Sequence, residues 1–212
     1  MSKPLYNEPQ TMTPLFPEKG EAELRELAAV FIKKSVSLTG IFNHDTRLAV
    51  TRLVEPMNSY YSNLIEGHNT HPLDIEKALK KDYSKEPKKK MLQIESRAHV
   101  LVNRLMKEKI KNTVNAYEKD FICWLHGEFY KHMPEEYKVV QTDTGKEVEI
   151  TPGCLRETEV KVGRHIGPAA KALPSFMSFF EEAYFLKNSG DPLKKIIAIA
   201  ASHHRLVWIH PF

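Results

Sequence analysis

Apolar residues recur along this chain with a helical period. Leu24, Leu27, Ala28, Phe31 and Ile32 stand at i, i+3, i+4, i+7 and i+8, one stripe of an amphipathic helix. The spacing returns at Phe176, Phe179, Phe180, Ala183 and Tyr184, and again at Leu193, Ile196, Ile197, Ala200, His204 and Trp208. Ile94, Ala98, Leu101 and Leu105 predict a fourth helix, and Tyr117, Phe121, Trp124 and Leu125 a fifth. A shorter helix is expected over residues 57–65, with Gly67 as its left-handed stop. Pro72 suits the first turn of a further helix, where its missing N–H costs nothing, and Asp74 and Glu76 favour the positive helix end. Residues 137–168 break the pattern, being rich in β-branched residues, Gly and Pro. There Val160 and Val162 alternate with charged neighbours, as in a strand with one covered face. The expectation is a mainly α protein carrying two short extended pieces or hairpins, in one domain with an N-terminal arm.

Composition narrows this only a little. The 212 residues, 42% hydrophobic and 27% charged, suffice for one sizeable core. A net charge of +4 is too mild to argue for nucleic acid. The run from Lys80 to Lys90 intersperses acids among its lysines and reads as a solvated linker, not a phosphate-binding patch. Cys123 and Cys154 offer neither a disulfide framework nor a metal spacing, and Cys123 is expected as a small buried hydrophobe. The N-terminus has no signal-peptide core, and no stretch approaches the ~18 apolar residues of a spanning helix, so a cytoplasmic protein without membrane contact is expected.

Candidate chemistry sits in "SHHRLVWIHPF", residues 202–212. Pro211 biases His210 away from helical geometry, so the preceding helix ends before it. His210 then lies on a loop held by a rigid helix, with Ile209 and Phe212 as apolar anchors. An imidazole titrates near neutrality and takes a proton from a hydroxyl, which suits a general base. A plain surface histidine at a helix end fits the local chemistry as well. A zinc site is not expected, because His203 and His204 point about 100° apart on a helix and no His-Glu-x-x-His spacing is present. His204 is instead expected on the core face.

Three segments together resemble a known family. The His210 and Phe212 pair resembles the opening of the Fic-domain signature, His-x-Phe-x-(Asp/Glu)-Gly-Asn-Gly-Arg-x-x-Arg. Ser62 to Gly67 resembles that family's inhibitory motif, (Ser/Thr)-x-x-x-Glu-(Gly/Asn). Residues 152–184 are similar to the flap hairpin and following helix that precede the signature. Order and separations agree over roughly residues 45–212. The resemblance implies a Fic-like helical bundle with a β-hairpin flap, the C-terminal part of the fold lying beyond this chain. It divides the chain into an arm and first helix (1–44), an inhibitory-helix and helical segment (45–111), and a Fic core (112–212).

The implied activity is autoinhibited protein adenylyl transfer, AMP passing from ATP to a Ser, Thr or Tyr hydroxyl of a target protein. His210 would be the base, and Ser62, Glu66 and Gly67 the inhibitory elements at the nucleotide site. Val160, Lys161, Val162 and Gly163 would be the target-binding flap, and Phe212 the signature anchor. Ser62 and Glu66, four apart, share a helical face, and Glu66 lies near a helix C-terminus that disfavours a carboxylate, which suggests a cationic partner elsewhere. A solvated glutamate before a cap glycine is the alternative. For the flap, an edge strand can add a strand from a target, whereas a core hairpin cannot. The resemblance implies ATP and Mg²⁺ as substrate and cofactor, the Mg²⁺ ligand and phosphate-holding residues falling after Phe212, and leaves a homodimer open. The 212-residue chain alone is therefore expected to transfer little AMP. A non-enzymatic helical module that binds a partner through the flap edge is the competing expectation.

Overall fold

Prolines and capping side chains set most helix starts. In the computed structural model, which describes residues 6–65, 67–68, 70–110, 115–141, 145, 147–185 and 190–212, the described residues form seven α-helices and two short hairpins. The helices are α1 (Glu21–Ile41), α2 (His44–Ile65), α3 (Pro72–Leu79), α4 (Pro87–Ile110), α5 (Lys119–Tyr130), α6 (Leu173–Tyr184) and α7 (Pro192–Ile209). Pro72, Pro87 and Pro192 each occupy the first helical position, where an N–H would go unbonded anyway. The Asp191 carboxylate caps α7, accepting from the N–H groups of Leu193 at 2.9 Å and Lys194 at 3.3 Å. Antiparallel pairs join β1 (Val139–Gln141) to β2 (Glu147–Glu149), and β3 (Lys161–Val162) to β4 (His165–Ile166).

The chain folds as two compact units. The first comprises Met1–Leu38, Asn115–Cys123 and Cys154–Phe212. Its core is the inner face of α6, where Leu173, Phe176, Met177, Phe180 and Tyr184 are buried, joined by Met12, Ala198 and Ile209. The N-terminal segment belongs to this core. Phe16 stacks on Tyr184 at 5.3 Å, Tyr6 on Trp208 at 5.1 Å, and the Ala169 N–H donates to Tyr6 O at 2.8 Å. Cys123 is only half-buried, so it is not the fully enclosed hydrophobe expected; burial still raises its thiol pKa.

The stripes of α1 and α7 exist as helices, but apart from Trp208, which packs on that core, they mostly face elsewhere. Leu24, Leu27, Ala28 and Phe31 line an open groove of about 480 Å³ with Ile196, Ile197, Ala200 and His204. Leu27 is 67% exposed and Phe31 56%. His204 is therefore exposed on the groove and not on the core face, and the buried residues of α7 are Ala198, Ser202 and Ile209.

The second unit comprises Thr39–Val114 and Trp124–Gly153. Here α2 runs from His44, well before residue 57, and contains Pro56. Asn43 starts it, its side-chain oxygen accepting from the Thr46 N–H at 2.8 Å. The buried face of α2 is polar: Glu55, Ser59 and Asn63, four residues apart, all point inward. An apolar period could not reveal such a helix. Asn63 Nδ2 donates to Ser96 Oγ of α4 at 2.8 Å, and Ser59 Oγ donates to Ser96 O at 3.3 Å. Arg104 and Lys107, also on α4, donate to the Glu55 carboxylate at 2.7 and 3.0 Å. On α4 itself Leu105 is exposed, and Gln93, Ser96, Ala98, Val100 and Val102 are the buried positions. Pro87 to Lys90 are the exposed first turn of α4, so the basic run is solvated but only partly a linker.

Candidate functional site

An α-helix leaves its last carbonyls without donors from its own turns. At the end of α7 the carbonyls of Leu206, Trp208, Ile209, His210 and Pro211 nonetheless have partners. Leu206 O accepts from the His210 N–H at 3.0 Å. Trp208 O lies 2.7 Å from His165 Nε2. A carbonyl only accepts, so His165 carries a proton on that nitrogen. Arg156 serves the rest: Nη2 donates to Ile209 O at 3.4 Å, Nε to His210 O at 2.7 Å, and its backbone N–H to Pro211 O at 2.9 Å.

These bonds surround an unusual backbone. His210 has φ 49° and ψ 65°, the left-handed region. A non-glycine residue there costs roughly 1–2 kcal/mol and persists only where its surroundings over-determine it. The sequence placed the end of α7 before His210; the structure adds that Pro211 is reached through a left-handed turn. Burial pushes the His210 imidazole below the ordinary histidine range, and the neighbouring Arg156 and His165 push it further. The ring is therefore neutral at pH 7. A neutral imidazole carries a lone pair on one ring nitrogen, which is what a base needs. Phe212 is half-buried and packs against the α6 core.

The β3–β4 hairpin stands beside this corner. Lys161 pairs with Ile166 and Val162 with His165, so the residue opposite Val162 is the one that reaches Trp208 O. Gly163 supplies the positive φ (58°) at the first position of the two-residue loop, the pattern of a type II′ turn. Val160 lies at the hairpin base, its carbonyl accepting from the Gly167 N–H at 3.1 Å. Lys161 and Val162 are both exposed, Val162 by 51%. The expected covered face is thus absent from β3, because a two-residue strand has no second layer and is held by bonds at its base. Gly167 is sterically required: a Cβ there would stand 2.8 Å from Val160 Cγ1 and 3.0 Å from Arg156 Nη2.

The other sequence-selected residues belong to the second unit. Ser62 is exposed on the last turn of α2, away from the Ser59–Asn63 face that meets α4. Glu66 lies outside the described residues. Gly67 ends the helix as expected, with φ 82°, its N–H donating to Leu64 O at 3.1 Å while the His68 N–H donates to Asn63 O at 2.7 Å. That pair of bonds is a Schellman motif, with Gly67 two residues past Ile65, the last residue of α2.

Among the described residues no group of three or more His, Cys, Asp or Glu side chains could hold a metal ion. The polar neighbours of His210 are Arg156 and His165, both donors, and so do not fit Mg²⁺; no step below runs through a metal. Sequence reasoning missed Arg156, His165 and Gly167. One signal was available: the last turn of α7 holds no basic residue, so its carbonyl end needs cations or donors from elsewhere.

The described residues form a mainly helical chain that carries two short hairpins. Its fold is Fic-like. The structure matches the crystal structure of a Fic family protein from Desulfovibrio desulfuricans G20 with a TM-score of 0.60, at 15% identity, over 98% of this chain and 55% of that one. No protein-family model matches the chain, and no curated protein matches it in sequence. No helix among the described residues is long and apolar enough to cross a membrane.

Proposed function

We propose that this chain belongs to an autoinhibited protein adenylyltransferase, in which His210 is the general base. The observation that carries the reading is the His210 corner: a half-buried imidazole at the end of a helix, held in a left-handed turn, with a hairpin alongside. A target hydroxyl would give its proton to His210 as its oxygen attacks the α-phosphorus of ATP. The bond from that phosphorus to the bridging oxygen breaks, and pyrophosphate leaves with the bond electrons. Positioning and charge stabilisation dominate such transfers. Lys161, Val162 and Gly163 would bind the target as an added strand, since both residues of β3 are exposed. Ser62, Glu66 and Gly67 would form the brake, and ATP, Mg²⁺ and a hydroxyl-bearing target would be the substrate, cofactor and partner of the whole protein.

The test is transfer of label from [α-³²P]ATP with Mg²⁺, using this chain and any longer product of the same reading frame. His210→Ala should cut labelling by on the order of 10²–10⁴-fold, the worth of a general base. Glu66→Gly should raise self-labelling. Equal labelling of wild type and Glu66→Gly would sink the brake, and full labelling by His210→Ala would sink the base. A second reading, a non-enzymatic module that docks a partner on the hairpin edge, is favoured by the exposure of Val162. A reading frame that stops after Phe212, with no label transfer by any form, selects it.

A further inference from the structure

We infer that Arg156 is the positioning residue of this site, a directional clamp that locks the left-handed His210 corner to the base of the β3–β4 hairpin. The inference takes its catalytic meaning from His210 as the base, but its geometry stands apart from that reading. The guanidinium donates to four carbonyls and, among the described residues, forms no ion pair. Nε reaches His210 O at 2.7 Å and Nη1 reaches Thr158 O at 2.7 Å. Nη2 reaches Pro168 O at 2.7 Å and Ile209 O at 3.4 Å. The Arg156 backbone N–H closes the set on Pro211 O at 2.9 Å. One side chain therefore bridges the end of α7 and both strands' approaches to the hairpin.

A planar fork with five donors at fixed angles reaches these four carbonyls at once, one more than the three donors of an ammonium could satisfy. A lysine ammonium keeps the charge but not that geometry. The one carboxylate that acts on Arg156, Glu159, is bonded elsewhere, accepting from the Ala170 N–H at 3.3 and 3.4 Å. Gly167 leaves the room the clamp needs, because a Cβ there would meet Arg156 Nη2. A residue that merely filled space or balanced charge would not require donors aimed at four carbonyls.

Nuclear magnetic resonance on the full chain tests the clamp without any enzymatic assay. In wild type the Arg156 guanidinium N–H signals should exchange with water at least about tenfold more slowly than those of exposed Arg47 and Arg52. In Arg156→Lys the His210 backbone coupling should leave its left-handed value while the helical circular dichroism persists. Fast Arg156 exchange in wild type, or an unchanged His210 backbone in a folded Arg156→Lys variant, overturns the inference. If the lysine variant does not fold, the wild-type exchange decides alone. The label-transfer assay separates the two claims. Slow exchange and a displaced corner, with no transfer by any form, leave the clamp standing and remove the base. Transfer that needs His210 but keeps its kcat in Arg156→Lys removes Arg156 as a positioning residue and leaves the base.

Discussion

Gly167 lies where Val160, Arg156 and the Ile209 carbonyl converge, and it shows how much of this site depends on single atoms. Gly167→Ala inserts a methyl 2.8 Å from Val160 Cγ1, so it should destabilise the fold by about 1–3 kcal/mol in urea titrations. His126 gives a second residue-scale prediction. Burial takes its imidazole down to about 4, and its Nδ1 accepts from the Gly153 N–H at 3.0 Å, which a protonated ring could not do. The unfolded ring titrates near ~6.5, so between those values the unfolded chain binds the extra proton. The contribution is therefore complete above about pH 6.5 and is lost as the pH falls toward 4. His99, His132 and His210, each lowered first by burial, act with the same sign. The melting temperature should fall from pH 7.5 to pH 4.5, and His126→Gln should flatten that fall.

Among the elements, α2 separates what a sequence pattern carries from what it hides. Its end was legible, because Gly67 needs a positive φ that few other residues adopt cheaply. Its first half was not, because the face it buries is Glu55, Ser59 and Asn63. These residues satisfy one another's polar groups across α2 and α4, which no hydrophobic period reports. Asn63→Ala removes the donor to Ser96 Oγ and should cost about 1–3 kcal/mol, whereas Ser62→Ala on the exposed face should stay within about 0.5 kcal/mol. Equal costs in chemical unfolding would mean that the polar face does not orient the helix. Removing Glu55 should also hurt. Burial alone would raise its pKa, yet the bonds from Arg104 and Lys107 outweigh that and hold it low.

For the whole molecule, two units each carry their own core. In the first, Phe176, Phe180 and Tyr184 form a ring cluster joined by Tyr117 and Trp208. Phe176→Ala should cost about 3–5 kcal/mol, read as lost hydrogen-exchange protection in α6 and α7. The Fic-like fold over 98% of the chain rests on this arrangement of helices, and 15% identity leaves the fold as the shared property. Function is tested separately, at His210.

The sequence by itself determined that the chain is mainly helical with short extended pieces inside residues 137–168, that α2 stops at Gly67, and that α7 ends before His210. Each of these follows from local steric and periodic rules: apolar spacing, the φ of proline, and the freedom of Gly67. The α6 stripe does face the core, but the tertiary structure decided which faces of α1, α2 and α7 are buried. Its α1 and α7 stripes line a groove, and the inward face of α2 is polar. The tertiary structure alone also decided that His210 turns left-handed under a clamp from Arg156, 54 residues away. The reason is physical. Hydrophobic spacing along a chain reports local amphipathicity, whereas a directional hydrogen bond between distant residues exists only once both ends are in place.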